Sequence, residues 1–187
     1  MSILHWIWGL PQNLAGFIIS RFAKYKKKYK INGITKTIYF MKFFNAGVSL
    51  GEFIILDPIW TEQQLETVIK HEYGHLRQSR MLGVFYLLVV GLPSVIGNIV
   101  DRFSKDDYRI RYNRYYNRYP ENWADKLGKV DRFSKIKLEV VMSDKKRYWV
   151  EYNNRYVVFY GNKNIGDIIE VTLYDLEYVG QWSSYVL

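Results

Sequence analysis

The sequence predicts an α+β fold with two domains: a mainly helical domain with a small sheet over residues 1–135, and a small antiparallel β appendage over residues 136–187. Three observations lead to this prediction. Apolar residues recur at helical spacing between 65 and 76, and an uncharged apolar stretch covers 81–100. Short runs rich in β-branched and aromatic residues, separated by turn-formers, follow after residue 136.

The composition describes a chain that can bury a core without covalent cross-links. Its 187 residues suit one domain of ordinary size with an appendage, and zero cysteines exclude disulfides and thiolate metal sites. A net charge of +9 with 18% aromatic residues favours an anionic partner, either a membrane or a nucleic acid. Composition by itself does not choose between the two.

The N-terminal segment, residues 3–20, is an apolar run that contains two tryptophans. Six basic residues follow it without an acidic residue among them: Arg21, Lys24, Lys26, Lys27, Lys28 and Lys30. A secretory signal carries its positive charge before the apolar run, so this segment is not one. The order resembles an interfacial helix or signal anchor whose basic flank stays with anionic lipids on the cytoplasmic side. The alternative is a buried helix followed by a solvated basic turn.

Two strand-like runs, residues 34–44 and 48–56, come next and are joined through Asn45-Ala46-Gly47. Short runs separated by turn-forming residues are typical of a β-hairpin. We therefore predict a hairpin here. The part from Gly47 to Phe53 is a candidate for an edge strand, with an ordinary core strand as the alternative.

A helix follows the hairpin. Thr61 begins a stretch that is typical of a helix N-cap with a glutamine at N3, and apolar residues continue at helical spacing to Leu76. Gly74 lies inside this helix, where it costs about 1 kcal/mol relative to alanine. A small residue at this position predicts that another backbone packs closely against the helix.

The same helix carries the residues with the most specific chemistry. His71 and His75 are four residues apart, so in a helix they lie on one face, where two neutral imidazoles can bind a single divalent ion. Glu72 lies between them in sequence and can reach a water on that ion. This is the H-E-x-x-H arrangement of zinc hydrolases.

A catalytic zinc site needs a third protein ligand. The only other histidine, His5, lies in the apolar N-terminal stretch, which favours a carboxylate instead. Glu121 and Asp125 follow Pro120 and are predicted to lie one turn apart on one face of a new helix. Glu121 can then bind the metal, while Asp125 accepts the hydrogen bond that fixes the tautomer of a ligating histidine.

Residues 81–100 would be predicted to cross a membrane from their length alone. A single crossing would place His75 and Glu121 on opposite sides of the bilayer, whereas two ligands must reach the same ion. The segment must therefore turn back to the side from which it started. Gly91-Leu92-Pro93-Ser94 predicts the break, and a helical hairpin results, either buried in the fold or dipping into one leaflet.

The stretch from Tyr108 to Tyr119 alternates arginine and tyrosine, with a stripe of tyrosines at helical spacing. Amphipathic packing with solvated arginines is the favoured interpretation. Single-stranded nucleic-acid binders also interleave these residues, but no recognised nucleic-acid motif accompanies them here, so a nucleic acid is not the expected partner.

The C-terminal part reads as four strands, 137–142, 147–152, 156–160 and 168–174, separated by turn-forming residues. They predict a small antiparallel meander.

The motifs HEYGH at residues 71–75 and ENWAD at 121–125 resemble the paired motifs of the gluzincin metallopeptidases, the thermolysin-like group. The resemblance implies a zincin-like active-site helix preceded by a sheet whose edge strand pairs with the substrate backbone. It also implies a role for each matching residue: His71, His75 and Glu121 as zinc ligands, Glu72 as the general base, and Asp125 as the carboxylate behind a histidine.

The sequence departs from the family in one respect that bears on catalysis: no histidine follows Glu121 to stabilise the oxyanion. A tyrosine or arginine of segment 108–119 is the expected substitute, and Tyr119 is the candidate. The expected function is zinc-dependent hydrolysis of a peptide or protein substrate by a membrane-associated enzyme. The alternative is a non-catalytic basic module with a structural metal site, which binds a membrane surface or a nucleic acid.

Overall fold

The computed structural model describes residues 3–42, 46–60, 62–106, 108–133, 135–152, 155–172 and 175–176. These residues form six α-helices and two four-stranded sheets, which confirms the α+β class. The chain divides into two compact units, Met1–Val130 and Asp131–Leu187; the predicted domains were 1–135 and 136–187.

The first unit contains all six helices and the first sheet. Its helices are α1 (Ile3–Trp8), α2 (Leu10–Ser20), α3 (Glu62–Leu82), α4 (Leu92–Phe103), α5 (Tyr108–Asn117) and α6 (Glu121–Gly128). Its strands are β1 (Tyr25–Ile31), β2 (Ile34–Phe40), β3 (Gly47–Leu50) and β4 (Phe53–Leu56). The proposed N-cap of α3, Thr61, lies outside the described residues.

The first sheet has the strand order β1-β2-β4-β3. The predicted hairpin between residues 34–44 and 48–56 is wrong, because β2 pairs with β4 in parallel and the second run folds on itself as the β3–β4 hairpin. The turn of that hairpin lies at Gly51 and Glu52, and the backbone N–H of Glu52 donates to Asn13 Oδ1 at 2.8 Å. Strand β3 lies at an edge of the sheet, as predicted.

The basic segment after α2 is a strand and not a turn. Residues 25–31 form β1, which pairs with β2 in an antiparallel hairpin through Asn32 and Gly33. Both turn residues have positive φ, 49° and 85°, which Asn-Gly adopts more readily than other pairs. Four of the six basic residues therefore alternate between the two faces of the sheet.

Helix α3 packs across the first sheet on one side and against α6 on the other. Ile69, Tyr73 and Leu76 of α3 enter the core with buried residues of β1, β2 and β4. The prediction from Gly74 is confirmed, because a Cβ there would lie 1.9 Å from the carbonyl oxygen of Ala124 in α6. Gly128 meets the carbonyl oxygen of Lys70 in the same way, so glycines on both helices permit their close approach.

Residues 81–100 do change direction, but the predicted break at 91–94 is wrong. Helix α3 ends where Gly83 takes a φ of +55°, and the chain then stays helical from Tyr86 to Phe103, through a π turn at Leu87–Gly91 into α4. Pro93 does not end this helix. It has no N–H to donate to the carbonyl oxygen of Val89, and the Tyr119 hydroxyl donates there instead at 2.8 Å.

The apolar segments do not fill the core. Helix α2 buries Gln12, Asn13, Gly16 and Ser20, whereas Leu10, Leu14, Phe17 and Ile18 are exposed. Most apolar side chains of the helix from 86 to 103 are exposed as well. Among the described residues, no helix has both the length and the apolar character that crossing a bilayer requires.

The second unit is a four-stranded antiparallel sheet made of β5 (Lys135–Ser143), β6 (Arg147–Tyr152), β7 (Arg155–Tyr160) and β8 (Ile168–Thr172). Four strands are present at the predicted positions, although residues 173–174 of the predicted last strand lie outside the described residues. Their order is β7-β6-β5-β8, so the last strand pairs with β5 and the sheet is not a simple meander. The nine-residue β5 is long enough to pair with a strand on each side. Ile169 and Val171 of β8 thereby join Val140, Val150 and Val157 in the core of this unit.

Candidate metal centre

Three predicted ligands meet between α3 and α6. The Nε2 atoms of His71 and His75 lie 3.0 Å and 3.1 Å from Oε2 of Glu121. The three side chains are buried, and their ligand atoms lie within 4.8 Å of one another. One turn of α3 presents both imidazoles, and the first turn of α6 presents the carboxylate, so the close packing of these two helices creates the group.

Each histidine contacts a second acceptor through its other ring nitrogen. His71 Nδ1 lies 2.7 Å from Asp125 Oδ1, as predicted, and His75 Nδ1 lies 2.7 Å from Gln78 Oε1. Gln78 is fully buried and its amide donates to the carbonyl oxygen of Pro120 at 3.0 Å, which fixes the direction of its oxygen. Both imidazoles are therefore held with hydrogen on Nδ1, which leaves the Nε2 lone pairs directed at Glu121.

This arrangement suits a cation. Burial alone would raise the pKa of Glu121, but hydrogen bonds from protonated His71 and His75 outweigh burial and hold the pKa well below its ordinary range. Two Nε2 lone pairs and a carboxylate oxygen repel one another unless positive charge lies between them, supplied by protons or by a metal ion. Two imidazole nitrogens and one carboxylate oxygen are a donor set that zinc accepts, so the residues fit the implied ion.

Glu72 lies beside this group at the edge of the sheet. Its backbone carbonyl accepts a hydrogen bond from Ser49 Oγ of β3 at 2.6 Å, and a Cβ on Gly47 would lie 2.6 Å from its Oε1. The side chain is buried, yet Oε2 contacts no hydrogen-bond donor among the described residues. A buried carboxylate oxygen without a donor is costly to folding, which indicates a functional role.

The tyrosine predicted to take part in catalysis does not reach this group. Tyr119 is about half exposed, and its hydroxyl is bonded to Val89. Two other tyrosines of α5, Tyr115 and Tyr116, lie close to this group. The Tyr116 ring packs edge-on against His71 at 5.2 Å between centroids. Burial raises the pKa of Tyr115, and the charges of Glu121 and Glu72 contribute to the rise.

Sequence reasoning missed Gln78 and Tyr86, whereas Tyr115 and Tyr116 belong to segment 108–119, which it had named. Gln78 is three residues after His75 and could have been found from helical spacing, because side chains at i and i+3 are neighbours. Tyr86 is fully buried, its hydroxyl donates to the Ser49 carbonyl oxygen at 3.1 Å, and burial followed by the charges of Glu72 and Glu121 raises its pKa. No local signal marks it, since its place depends on where the chain goes after Gly83.

Comparisons with protein-family models, with curated proteins and with solved structures find no match. The resemblance to gluzincins therefore rests on the two sequence motifs.

Proposed function

We propose that this protein is a zinc-dependent hydrolase of peptide bonds. One observation carries the proposal: Nε2 of His71, Nε2 of His75 and Oε2 of Glu121 converge in a buried group. The buried Oε2 of Glu72 has no donor among the described residues, and the charges of Glu72 and Glu121 act on the same tyrosine, Tyr86. A purely structural metal site has no use for such a carboxylate, which favours the enzyme over a binding module with a structural metal.

His71, His75 and Glu121 would hold the zinc, and Asp125 and Gln78 would keep the two imidazoles in the tautomer that binds it. When bound, zinc lowers the pKa of water toward 7 and polarises a carbonyl group. Three protein ligands leave a coordination position for water or substrate.

Glu72 is the proposed general base. Its buried Oε2 takes a proton from the attacking water and then delivers that proton to the departing amine, so the carboxylate is regenerated in each turnover. The hydrogen bond from Ser49 to its backbone ties Glu72 to strand β3.

The exposed edge of β3 is the proposed site for the substrate backbone, by strand addition. The Tyr86 hydroxyl already engages the carbonyl oxygen of Ser49, so a substrate strand would pair with the part of β3 that precedes it, around Gly47. This is also the part of β3 nearest the Glu72 carboxylate.

Tyr115 is the proposed donor to the negative charge that develops on the substrate carbonyl, in place of the predicted Tyr119. It lies with the two carboxylates of the site, whereas Tyr119 is bonded to Val89. A larger loss of turnover in Tyr115→Phe than in Tyr119→Phe would support this assignment, and equal losses would refute it.

We further propose that the enzyme works at an anionic membrane surface, with the basic residues that follow α2 on the cytoplasmic side. The exposed apolar residues of α1 and α2 support this localisation.

The test of the hydrolase is a comparison of wild type with Glu72→Gln. We expect about one zinc per chain in both proteins, and a loss of peptide hydrolysis of at least about 10²-fold in the variant, as is typical when a general base is removed. Zinc is measured by elemental analysis, and hydrolysis by cleavage of a peptide library followed by mass spectrometry.

Glu121→Ala is the matched control, because it should lose zinc and activity together. Unchanged turnover in Glu72→Gln with zinc present would refute the hydrolase proposal and favour a binding module with a structural metal.

A further inference from the structure

Two helical segments of the first unit direct polar or small side chains inward and apolar side chains outward. Along the helix from 86 to 103, the inward positions include Gly97 and the buried carboxylate of Asp101, which Arg114 and Arg118 of the α5 region contact. Most of the outward positions are apolar, although Asn98 and Arg102 are exposed as well. The large apolar residues among them are Leu88, Leu92, Val95, Ile96, Ile99, Val100 and Phe103. A surface helix of a soluble domain shows the opposite arrangement, so this outward face is made to meet an apolar environment.

Helix α2 repeats the inversion. Its inward side chains are polar or small, and Gln12 donates to Ser79 Oγ at 3.1 Å and to the Gly83 carbonyl oxygen at 2.6 Å. Its outward side chains are apolar and exposed: Leu10, Leu14, Phe17 and Ile18. Large exposed apolar residues on two inverted helices exceed what a monomeric soluble surface normally carries.

The two apolar surfaces meet at Gly83. The Trp8 ring packs directly on this residue, where a Cβ would lie 2.2 Å from a ring carbon. Exposed residues continue on both sides of the contact: Ile3, Leu4 and Ile7 of α1, and Val84 and Phe85 after Gly83. We call these residues, together with the exposed apolar residues of α2 and of the helix 86–103, the outer apolar face.

A basic cavity borders this face. It has a volume of about 980 Å³, and Trp6 and Phe17 line it together with Arg21, Lys24 and Lys26. These three cations contact no carboxylate in the described part of the chain. The cavity also contains Glu52, but Lys36 and Arg80 already pair with that carboxylate. The cavity is therefore strongly electropositive.

Strand β1 directs adjacent lysines to opposite faces of the sheet. Lys26 is opposite Tyr39, whose ring packs on Phe53, which in turn contacts Phe17 of α2. Lys27 is opposite Ile38, which is buried in the core against α3. Directly opposed residues of an antiparallel pair project to the same face, so Lys26 faces the basic cavity and Lys27 does not.

We propose that the outer apolar face inserts into the surface layer of an anionic bilayer while Arg21, Lys24 and Lys26 bind the phosphate of an anionic phospholipid in the basic cavity. The inference deepens the proposed membrane localisation and is independent of the hydrolase. Apolar side chains beside unpaired cations match the acyl and headgroup layers of such a bilayer. A second copy of the chain fits less well, because a two-fold contact would bring these like charges against each other.

Vesicle binding of the full-length protein tests the proposal, measured by sedimentation with phosphatidylcholine vesicles that contain or lack phosphatidylglycerol. Wild type is expected to bind the anionic vesicles, with a part of the binding that persists in high salt. Lys26→Gln should weaken binding about fivefold, the effect of one cation near the membrane surface. Lys27→Gln, an identical change one residue away, should weaken it clearly less.

A matched pair of variants also tests the outer apolar face. Ile96 and Ile59 are 51% and 53% exposed, but only Ile96 lies on the outer apolar face. Ile96→Glu should abolish the salt-resistant binding, whereas Ile59→Glu should keep it, with circular dichroism spectra equal to that of wild type showing that both variants are folded.

Two results would overturn the docking proposal: wild type that stays in the supernatant with anionic vesicles, or equal binding by the variants within each pair. A stable dimer that Ile96→Glu dissociates would likewise assign the face to a second copy. Glu72→Gln separates the two proposals, because it should bind vesicles like wild type whether or not the protein hydrolyses peptides.

Discussion

The two histidines of the candidate metal centre are oriented by different acceptors. Asp125 supplies a carboxylate to His71 from α6, and Gln78 supplies an amide oxygen to His75 from the next turn of α3 itself. The Gln78 amide is anchored in turn on Pro120, the residue before Glu121. The Gln78 side chain thus links the ring orientation of His75 on α3 to the backbone that directly precedes Glu121 on α6.

We expect Gln78→Met to weaken zinc binding by about 10-fold to 100-fold, the usual effect of removing a partner behind a ligating histidine. The His75 ring would lose the acceptor that keeps hydrogen on Nδ1. Affinity is measured by competition with a zinc chelator of known strength.

Gln78→Glu is the control, since its carboxylate can still accept from Nδ1 and should retain most of the affinity. Equal affinities in Gln78→Met and wild type would show that the contact does not orient the ring.

At the scale of elements, the β3–β4 turn is connected to β2, α3 and α2 through Glu52. Glu52 pairs with Lys36 of β2 at 2.6 Å and with the Arg80 guanidinium of α3 at 2.7 Å. Its backbone N–H donates to Asn13 of α2. These contacts fix the turn that follows β3, the strand proposed to pair with the substrate.

We expect Glu52→Gln to lower the free energy of unfolding by about 3 kcal/mol at neutral pH, because it leaves two partly buried cations without their partner. Burial would raise the pKa of Glu52, but hydrogen bonds from Arg80 and Lys36 lower it from 4.5 to about 2. The native carboxylate therefore binds its proton less readily than the unfolded one. Its contribution is complete above about pH 5 and is lost as the pH falls toward 2.

Urea unfolding of wild type and Glu52→Gln between pH 7 and pH 3 measures this difference. Glu66→Gln is the control, since Glu66 forms only an exposed pair with Lys70 and should cost about 0.5 kcal/mol or less. A stability gap between wild type and Glu52→Gln that stays constant down to pH 3 would contradict the assignment.

At the scale of the whole molecule, the candidate metal centre belongs entirely to the first unit. Its ligands come from α3 and α6, whereas the second unit has its own core around Val140 and Val150. A ligand that binds only the folded state stabilises the unit that contains its site.

We therefore expect zinc to stabilise the first unit by about 4 kcal/mol when its free concentration is a thousand times the dissociation constant. Removal of zinc by a chelator should speed amide hydrogen exchange in α3 and α6 and leave β5 to β8 unchanged, as followed by mass spectrometry. Equal acceleration in both units would show that the site stabilises the whole chain and not its own unit.

The sequence determined the features that depend on neighbouring residues along the chain. His71 and His75 lie on one helical face, and so do Glu121 and Asp125, because the spacing of four is fixed by the geometry of one turn. The strands of the second unit were predictable from their alternating pattern and their turns. The close approach signalled by Gly74 was predictable because only a missing side chain permits it.

Tertiary structure decided which of these local features became neighbours. The parallel pairing of β2 with β4 joins segments whose contact no local spacing specifies, and the chain direction after α3 depends on the left-handed conformation of Gly83. That direction brought Tyr86 to the site and left the apolar side of the following helix exposed, opposite to the usual rule for a soluble helix. A sequence pattern marks the apolar side of a helix, but only the packed fold determines whether that side meets protein or the surroundings.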